Sequence, residues 1–282
     1  MSPRRLTLGG LLRLLLVYSL LTVGAVVMLL PFAWMVSASL MTPREVMARP
    51  LVWVPSVPQV GNFGALLQAV PFGRAYLNSL VVTLTVMAGI LLTSSLSGYG
   101  FAKFQFPGRD VLFLVVLATL MIPPFLILIP VFYLVRQLGW VDTYPGLIVP
   151  NLVTAFGIFL LRQYMLSLPD ELLDAARIDG APEFTIYWRI VLPLVGPALG
   201  ALAILAFVYH WNSFLWPLIV VRSPGMMTVP LALNSLRIYA SSPEVINLQM
   251  AGATAAILPV LLIFALLQRW FVQGIALTGL KG

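Results

Sequence analysis

Long apolar runs alternate with short polar connections along this chain, and the runs have the length of membrane spans. A helix needs about 20 apolar residues to cross a hydrocarbon core some 30 Å thick. Six stretches qualify, 14–38, 76–101, 110–135, 144–162, 194–221 and 250–272. The third holds "MIPPF" and Pro130, so a kink is predicted there, with neighbours re-satisfying the carbonyls that proline frees. Two connections are long enough to have structure of their own. Residues 39–75 include "NFGALLQAV", a short helix starting near Asn62, and residues 222–249 are rich in turn formers. Gly196 and Gly200 form a GxxxG, and "AGATAA" begins at Ala251. Such residues let backbones approach in lipid, which suits static packing better than a moving gate.

One polar connection stands apart. "PDELLDAARIDGAPEF", residues 169–184, holds five of the nine acidic residues of the chain. Ser167 and Asp170 fit the S/T-x-x-D/E capping box, with Pro169 in the tolerated first turn. Gly180 suits the left-handed position that ends a helix, so a helix of about a dozen residues is predicted between them. Asp170, Glu171 and Asp174 fall in its first half and Arg177 near its end, the order the helix dipole favours. Leu172, Leu173, Ala175 and Ala176 make an apolar stripe at helical spacing. Pro182 then opens a second short helix, "PEFTIYWRIVLP", running toward the fifth span. Helices that lie on a bilayer are usually basic on the polar face. Anionic headgroups would repel this acidic one, so it is read as docking into another protein.

Composition removes the soluble alternatives. The chain is 61% hydrophobic and 9% charged with a mean hydropathy of +1.02, against roughly a quarter charged in globular domains. The net charge of +7 does not point to nucleic acid, because the basic residues are scattered singly between apolar runs. They serve instead to orient the spans. With the N-terminus inside, Arg4, Arg5, Arg13, Lys103, Arg109, Arg162, Arg177, Arg189, Arg269 and Lys281 are cytoplasmic. Arg44, Arg49, Arg74, Arg136, Arg222 and Arg237 are then outside. Both termini and the acidic connection 163–193 are thereby placed in the cytoplasm. The first apolar run is too long for the 7–15-residue core of a signal peptide and is read as a retained span. The absence of cysteine excludes disulfides and thiolate metal sites.

Chemistry of its own is hard to find. No G-x-x-x-x-G-K-S/T occurs, so any ATP that drives this protein is hydrolysed elsewhere. No Asp, Glu, Lys or Arg sits in the middle of a proposed span, which argues against the alternative of an ion-coupled secondary transporter working without an ATPase. His210 is the single histidine, too little for a zinc site or an imidazole-assisted nucleophile. No catalytic or metal-ligating residue is therefore assigned. "VYHWNSF" gives a candidate solute path, with Tyr209, His210 and Trp211 stacking on a sugar ring and Asn212 bonding its hydroxyls. The same residues also fit an aromatic belt at the headgroups, with Asn212 as glue between helices. Asn78 and Asn151 lie at span ends and read as interface caps.

"ELLDAARIDGAPEFTIYWRIVLP" resembles the EAA loop of the membrane subunits of ABC importers. Asp174-Ala175-Ala176 stands where that family has Glu-Ala-Ala, Asp179-Gly180-Ala181 matches its D-G-A, and Pro193 its terminal proline. Asp for Glu at 174 keeps the charge and shortens the reach. "NSLVVTLTV", "SGYGFAKFQFPGRD", "WNSFLWPLIV" and the closing "GLKG" are similar to the maltose-type carbohydrate branch, and within it to the shorter, six-span permease. The resemblance implies an all-α membrane protein of six transmembrane helices with a cytoplasmic coupling helix, the type I ABC importer permease architecture, as one domain over 1–282. It implies that Glu171, Asp174, Ala175, Ala176, Asp179, Gly180, Ala181 and Pro193 belong to the ATPase-coupling loop. The implied partners are a second homologous permease, a dimer of ATP-binding subunits holding ATP and Mg2+, and an extracytoplasmic solute-binding protein facing residues 222–249. No cofactor is expected on this chain, its site is the inner membrane of a prokaryote, and the "GIALTGLKG" tail would reach toward the ATPase dimer.

Overall fold

The computed structural model describes residues 8–239 and 245–279, and among them there is helix and connection but no strand. Arg4, Arg5, Lys281 and the last three residues of the tail lie outside the described residues. The chain divides into two compact units, one formed by the chain up to Val70 with Ser235–Ala255, the other by Pro71–Asn234 with the chain from Ala256 onward.

The first unit opens with α1 (Leu8–Ala38). Before Trp34 its described side chains are exposed, and only its last turns, with Trp34 and Ala38, pack on the rest of the unit; a helix apolar all round is solvated by lipid. The connection after it is folded around two polar anchors. Before α2 (Pro43–Val46), the Thr42 N–H donates to Glu45 Oε2 at 2.8 Å and Glu45 N–H returns to Thr42 Oγ1 at 3.3 Å, a reciprocal cap. Ser56 donates to the other carboxylate oxygen through both its N–H and its hydroxyl. The Ser56 hydroxyl first, and then the Thr42 N–H, hold the Glu45 carboxyl down at about 2. The predicted short helix is α3 (Gly61–Ala69). Asn62 at its start donates to Ser39 O and Met41 O, both at 2.9 Å, and accepts from Asn247 at 2.9 Å.

The second unit is built on α4 (Phe72–Lys103), 32 residues without a proline. Next come α5 (Arg109–Thr119) and α6 (Pro124–Gln137), bent by 98° across the predicted proline kink. After α7 (Tyr144–Ile148) a short turn leads to α8 (Ala155–Leu166), with a bend of 42°. The acidic connection holds α9 (Asp170–Ile178) and α10 (Glu183–Ile186). A widened π turn, Tyr187–Val191, and α11 (Leu192–Leu194) follow, then α12 (Gly196–Trp211) after a 76° bend. Pro193 explains the widening. It has no N–H for the Arg189 carbonyl, and the Leu192 N–H reaches back to Tyr187 O, one residue farther than an α-helix allows. α13 (Leu215–Val220), α14 (Val229–Tyr239) and α15 (Ile246–Gly279) complete the order.

Among the described residues three helices are long and apolar enough to span a membrane alone, Leu12–Ala38, Phe72–Lys103 and Ile246–Trp270, and the count reaches six if each bent pair is one span. The fifth stretch departs from expectation. Residues 194–221 are not one helix, because α12 stops at Trp211 and Asn212–Phe214 break the path before α13. Pro217 has no N–H to offer the Ser213 carbonyl, so a helix through 212–216 would lose that bond.

α4 packs on α8 and α12, and the buried residues Val86, Ile90, Tyr99, Leu161, Met165, Val191 and Leu202 form one apolar core between these elements. The two GxxxG glycines differ in role. A Cβ on Gly200 would lie 2.6 Å from the Trp270 ring, whereas one on Gly196 meets nothing within 4 Å. Overpacking of this kind costs about 1–3 kcal/mol. Gly200→Val is expected to lower the thermal midpoint of the detergent-purified protein and Gly196→Val to leave it within error. Equal midpoints for the two variants would show that the Trp270 contact does not limit α12.

Candidate functional site

The acidic hairpin of α9 and α10 is shaped by its ends. Ser167 does not form the predicted capping box. The apolar run of α8 continues to Leu166, Ser167 closes that helix, and its hydroxyl donates back to Tyr164 O at 2.7 Å. Pro169 stands before α9 without a side-chain cap. The far end is as the sequence requires. Gly180 adopts φ 79°, and the bonds Ala181 N–H to Ala176 O and Gly180 N–H to Arg177 O, each 3.0 Å, are the paired closures of a left-handed helix stop. With its start moved to Asp170, the helix has nine residues instead of about a dozen.

The proposed apolar stripe is split by the helix's rotation. Leu173 is buried and Ala176 packs partly on the core, while Leu172 and Ala175 face outward. Ile178 is 86% exposed and Phe184 70% exposed, and Phe184 stacks with the exposed Trp188 at 6.3 Å. Glu171, Asp174 and Asp179 are exposed, the first two seven and four residues before Ile178 on the same face of α9; Pro193 on α11 is exposed as well, whereas Ala181 is half-buried against the core. Exposed apolar side chains on a helix that also carries carboxylates make up the outer face of the hairpin, and exposed apolar patches of this kind mark interaction sites.

Beneath that surface the hairpin is bolted to α4. Lys103 Nζ donates to Asp170 Oδ1 at 2.6 Å and Leu168 O at 2.7 Å, Tyr99 OH donates to Glu183 Oε2 at 2.8 Å, and the hydroxyls of Ser95 and Tyr187 meet at 2.7 Å. Ser95, Tyr99 and Lys103 are spaced by four, so they line one face of α4. Arg177 completes the set, with Nε on Glu183 Oε1 at 2.7 Å and a terminal nitrogen on Asp174 Oδ1 at 2.8 Å. The hydrogen bond to Glu183 raises the Arg177 pKa and, from the other side, lowers that of Glu183. Lys103 likewise holds the Asp170 carboxyl below its usual range. The sequence signal for this ladder, polar residues every fourth position at the end of an apolar helix, is present in "SSLSGYGFAK" but gives no hint of its partners.

The four solute-path candidates separate. A cavity of about 630 Å³ is lined by Tyr209 and His210 together with Asn151, Thr154, Phe156 and Leu205 among others. Trp211 is turned away and 2% exposed. It stacks on Phe207, meets Tyr76 edge-on, and donates its Nε1–H to Ala256 O at 2.9 Å. Asn212 donates to Val208 O at 2.8 Å and is not among the lining residues. Asn151 and Thr154, not singled out for this role in the sequence, are the polar groups facing Tyr209 and His210 across the wall. Asn78 is no interface cap. It is fully buried, donates to Gly225 O and Met227 O at 2.9 Å, and accepts from Tyr144 OH at 2.7 Å. Among the described residues no cluster of His, Asp or Glu is placed to hold a metal ion.

The sequence pattern described as "Binding-protein-dependent transport system inner membrane component" matches residues 87–277. The chain is 38% identical over 271 residues to the arabinooligosaccharides transport system permease protein AraQ of Halalkalibacterium halodurans, covering 93% of this chain and 96% of that one. It is 33% identical over 262 residues to the sn-glycerol-3-phosphate transport system permease protein UgpE of Yersinia pestis, covering 91% and 93%. A crystal structure of a bacterial ABC transporter involved in the import of the acidic polysaccharide alginate superposes with a TM-score of 0.82 at 23% identity, over 96% of this chain and 100% of that one.

The hairpin's bonds set its response to acid. A carboxylate whose pKa is lowered by folding stabilises fully above its ordinary value and loses that contribution as pH falls through the lowered one. Amide protection over residues 178–187, corrected for intrinsic exchange, is expected to be flat from pH 7 to 5 and to fall below the ordinary 4.5 of Glu183. In Glu183→Gln it is expected to start lower and show a smaller step. An undiminished step in that variant would remove Glu183 from the account.

Proposed function

This chain belongs to the family of binding-protein-dependent transport system inner membrane components, and we propose that it is the permease half of a carbohydrate ABC importer that takes its energy through the acidic hairpin. It is a multi-pass membrane protein and a transport subunit, so the ion-coupled alternative is set aside. The N-terminus and the hairpin face the cytoplasm, in agreement with the distribution of Lys and Arg. α9 seats in a cleft of an ATP-hydrolysing subunit, which binds ATP and Mg2+ in place of this chain. A second permease closes the pathway, and a solute-binding protein delivers the solute at the opposite face. A crystal structure of the alginate transporter in complex with a periplasmic protein bound to an alginate pentasaccharide, with a TM-score of 0.57, is in keeping with such a partner.

The observation that carries the docking role is the exposure of Ile178 and Phe184 next to Glu171, Asp174 and Asp179, on a hairpin whose underside is fixed to α4. A loose loop would not transmit force, and a fixed one can. Ala175 keeps the outer face of the helix slim, so that a partner's cleft can close on it, while Ala176 lets the inner face sit close to the core. Asp174 answers its own Arg177 at 2.8 Å, which fixes the direction of a carboxylate with less reach than glutamate.

For the solute, the cavity offers an imidazole, a phenol, an amide and a hydroxyl on an otherwise apolar wall. Those groups suit the hydroxyls and ring faces of a neutral sugar. The relatives are named for an oligosaccharide and for a phosphate ester, and the uncharged lining favours the former.

Closure of the ATPase dimer would bring the hairpins of the two permeases together and tilt the spans, opening the path outward. This is alternating access by movement of packed elements. Asp174→Lys is expected to lower co-purification of the ATPase subunit by roughly tenfold or more, since a reversed charge in an interface costs several kcal/mol. Recovery of the partner at the parent level would show that α9 does not dock through this face.

A further inference from the structure

The hairpin is fixed to one end of α4, and at its other end α4 holds a second structure by the same means. Asn78 donates both amide protons to the carbonyls of Gly225 and Met227, and Ser79 Oγ accepts the Val229 N–H at 2.8 Å. Arg74 Nε adds a longer bond to Gly225 O at 3.4 Å. Residues 225–229 are the turn that opens the long 222–249 connection and leads into α14. From Asn78 to Lys103 the helix runs 25 residues without interruption, about 38 Å at 1.5 Å per residue.

We propose that α4 is the rod that couples the two faces of the transporter, with Ser95, Tyr99 and Lys103 as positioning residues at the hairpin end and Asn78 and Ser79 at the end that holds 225–229. The proposal rests on the reading of the hairpin as the ATPase docking site. Three features support a rod over a static clamp. The grips at the hairpin end are spread over Asp170, Glu183 and Tyr187, so the hairpin cannot shift or rotate without moving α4. Both ends use buried groups, Asn78 fully and the Lys103 side chain at 4% exposure, and leaving such a group unpaired is costly, more so when it is charged. Finally, α4 lacks the proline bend that would absorb a displacement, whereas α6, α11 and α15 carry prolines.

The bonds at the hairpin end can be removed without stranding a charge. Lys103→Met leaves Asp170 on an exposed surface, and Tyr99→Phe leaves Glu183 paired with Arg177. The chain has no cysteine, so a spin label on Pro224→Cys, an exposed position in the 222–249 connection, reports from that site alone. The test uses the full transporter in liposomes with and without a non-hydrolysable ATP analogue. In the otherwise unaltered protein the label's spectrum is expected to change with nucleotide. With Tyr99→Phe and Lys103→Met together the change is expected to shrink about twofold or more, with the ATPase subunit still recovered, and Lys103→Arg with Tyr99 in place is expected to retain it. Should the double variant not assemble, Tyr99→Phe alone, which removes only a hydroxyl, is read in the same way. A label that ignores nucleotide in the parent, or that responds as fully in the variant, overturns the rod. Failure of the docking reading looks different, because Asp174→Lys would then leave both ATPase recovery and the label's response intact.

Discussion

A lysine buried at the end of an apolar helix must have its charge answered, and how Lys103 is answered organises the half of the molecule that works. Its ammonium meets one carbonyl and one carboxylate of the acidic connection, and the hydroxyls of Tyr99 and Ser95 repeat the arrangement one and two turns back. An unpaired polar group in such surroundings costs about 1–3 kcal/mol, and more when charged. That penalty holds a short polar hairpin in one place on a chain otherwise dominated by apolar contacts. The outer face of the hairpin can then remain apolar and acidic without collapsing onto its own helices.

The same solution recurs where connections return to helices. Asn62 and Asn78 each donate two amide protons to carbonyls two residues apart, Ser39 and Met41 in one unit, Gly225 and Met227 in the other. A primary amide suits this task because it supplies two donors and an acceptor in one plane, and in both cases the acceptor is also used, by Asn247 and by Tyr144. The connections at 39–75 and 222–229 are thus structured pieces, each gripped by one asparagine, Asn62 half-buried and Asn78 fully buried, together with the other polar bonds around it.

Much of the helical layout could be read from the chain. Uninterrupted apolar runs gave α1, α4 and α15, "MIPPF" gave the break between α5 and α6, and Gly180 gave the end of α9, because each depends on local backbone chemistry. Ser167 misled because it satisfies two local rules at once, and the helix before it took the residue. The rotation of α9, which hides Leu173 and bares Leu172, depends on what lies under it and is not written in spacing alone. Trp211 looked suited to a sugar, but its indole N–H is spent on Ala256 O, and Asn151 and Thr154 came to the cavity from a different helix pair. The partners of Asn78 lie 66 to 149 residues away in sequence, beyond the range of any periodicity.

The central claim is that a hairpin fixed to α4 presents its outer face to an ATPase inside the cell. The cysteine-free chain allows a direct test at Ile178, the most exposed apolar residue of the hairpin. Ile178→Cys in sealed right-side-out vesicles should resist a membrane-impermeant maleimide, react once the membrane is opened, and be shielded again when the ATPase subunit is present. Reaction from the outside of intact vesicles, or labelling that the ATPase subunit does not slow, would contradict it.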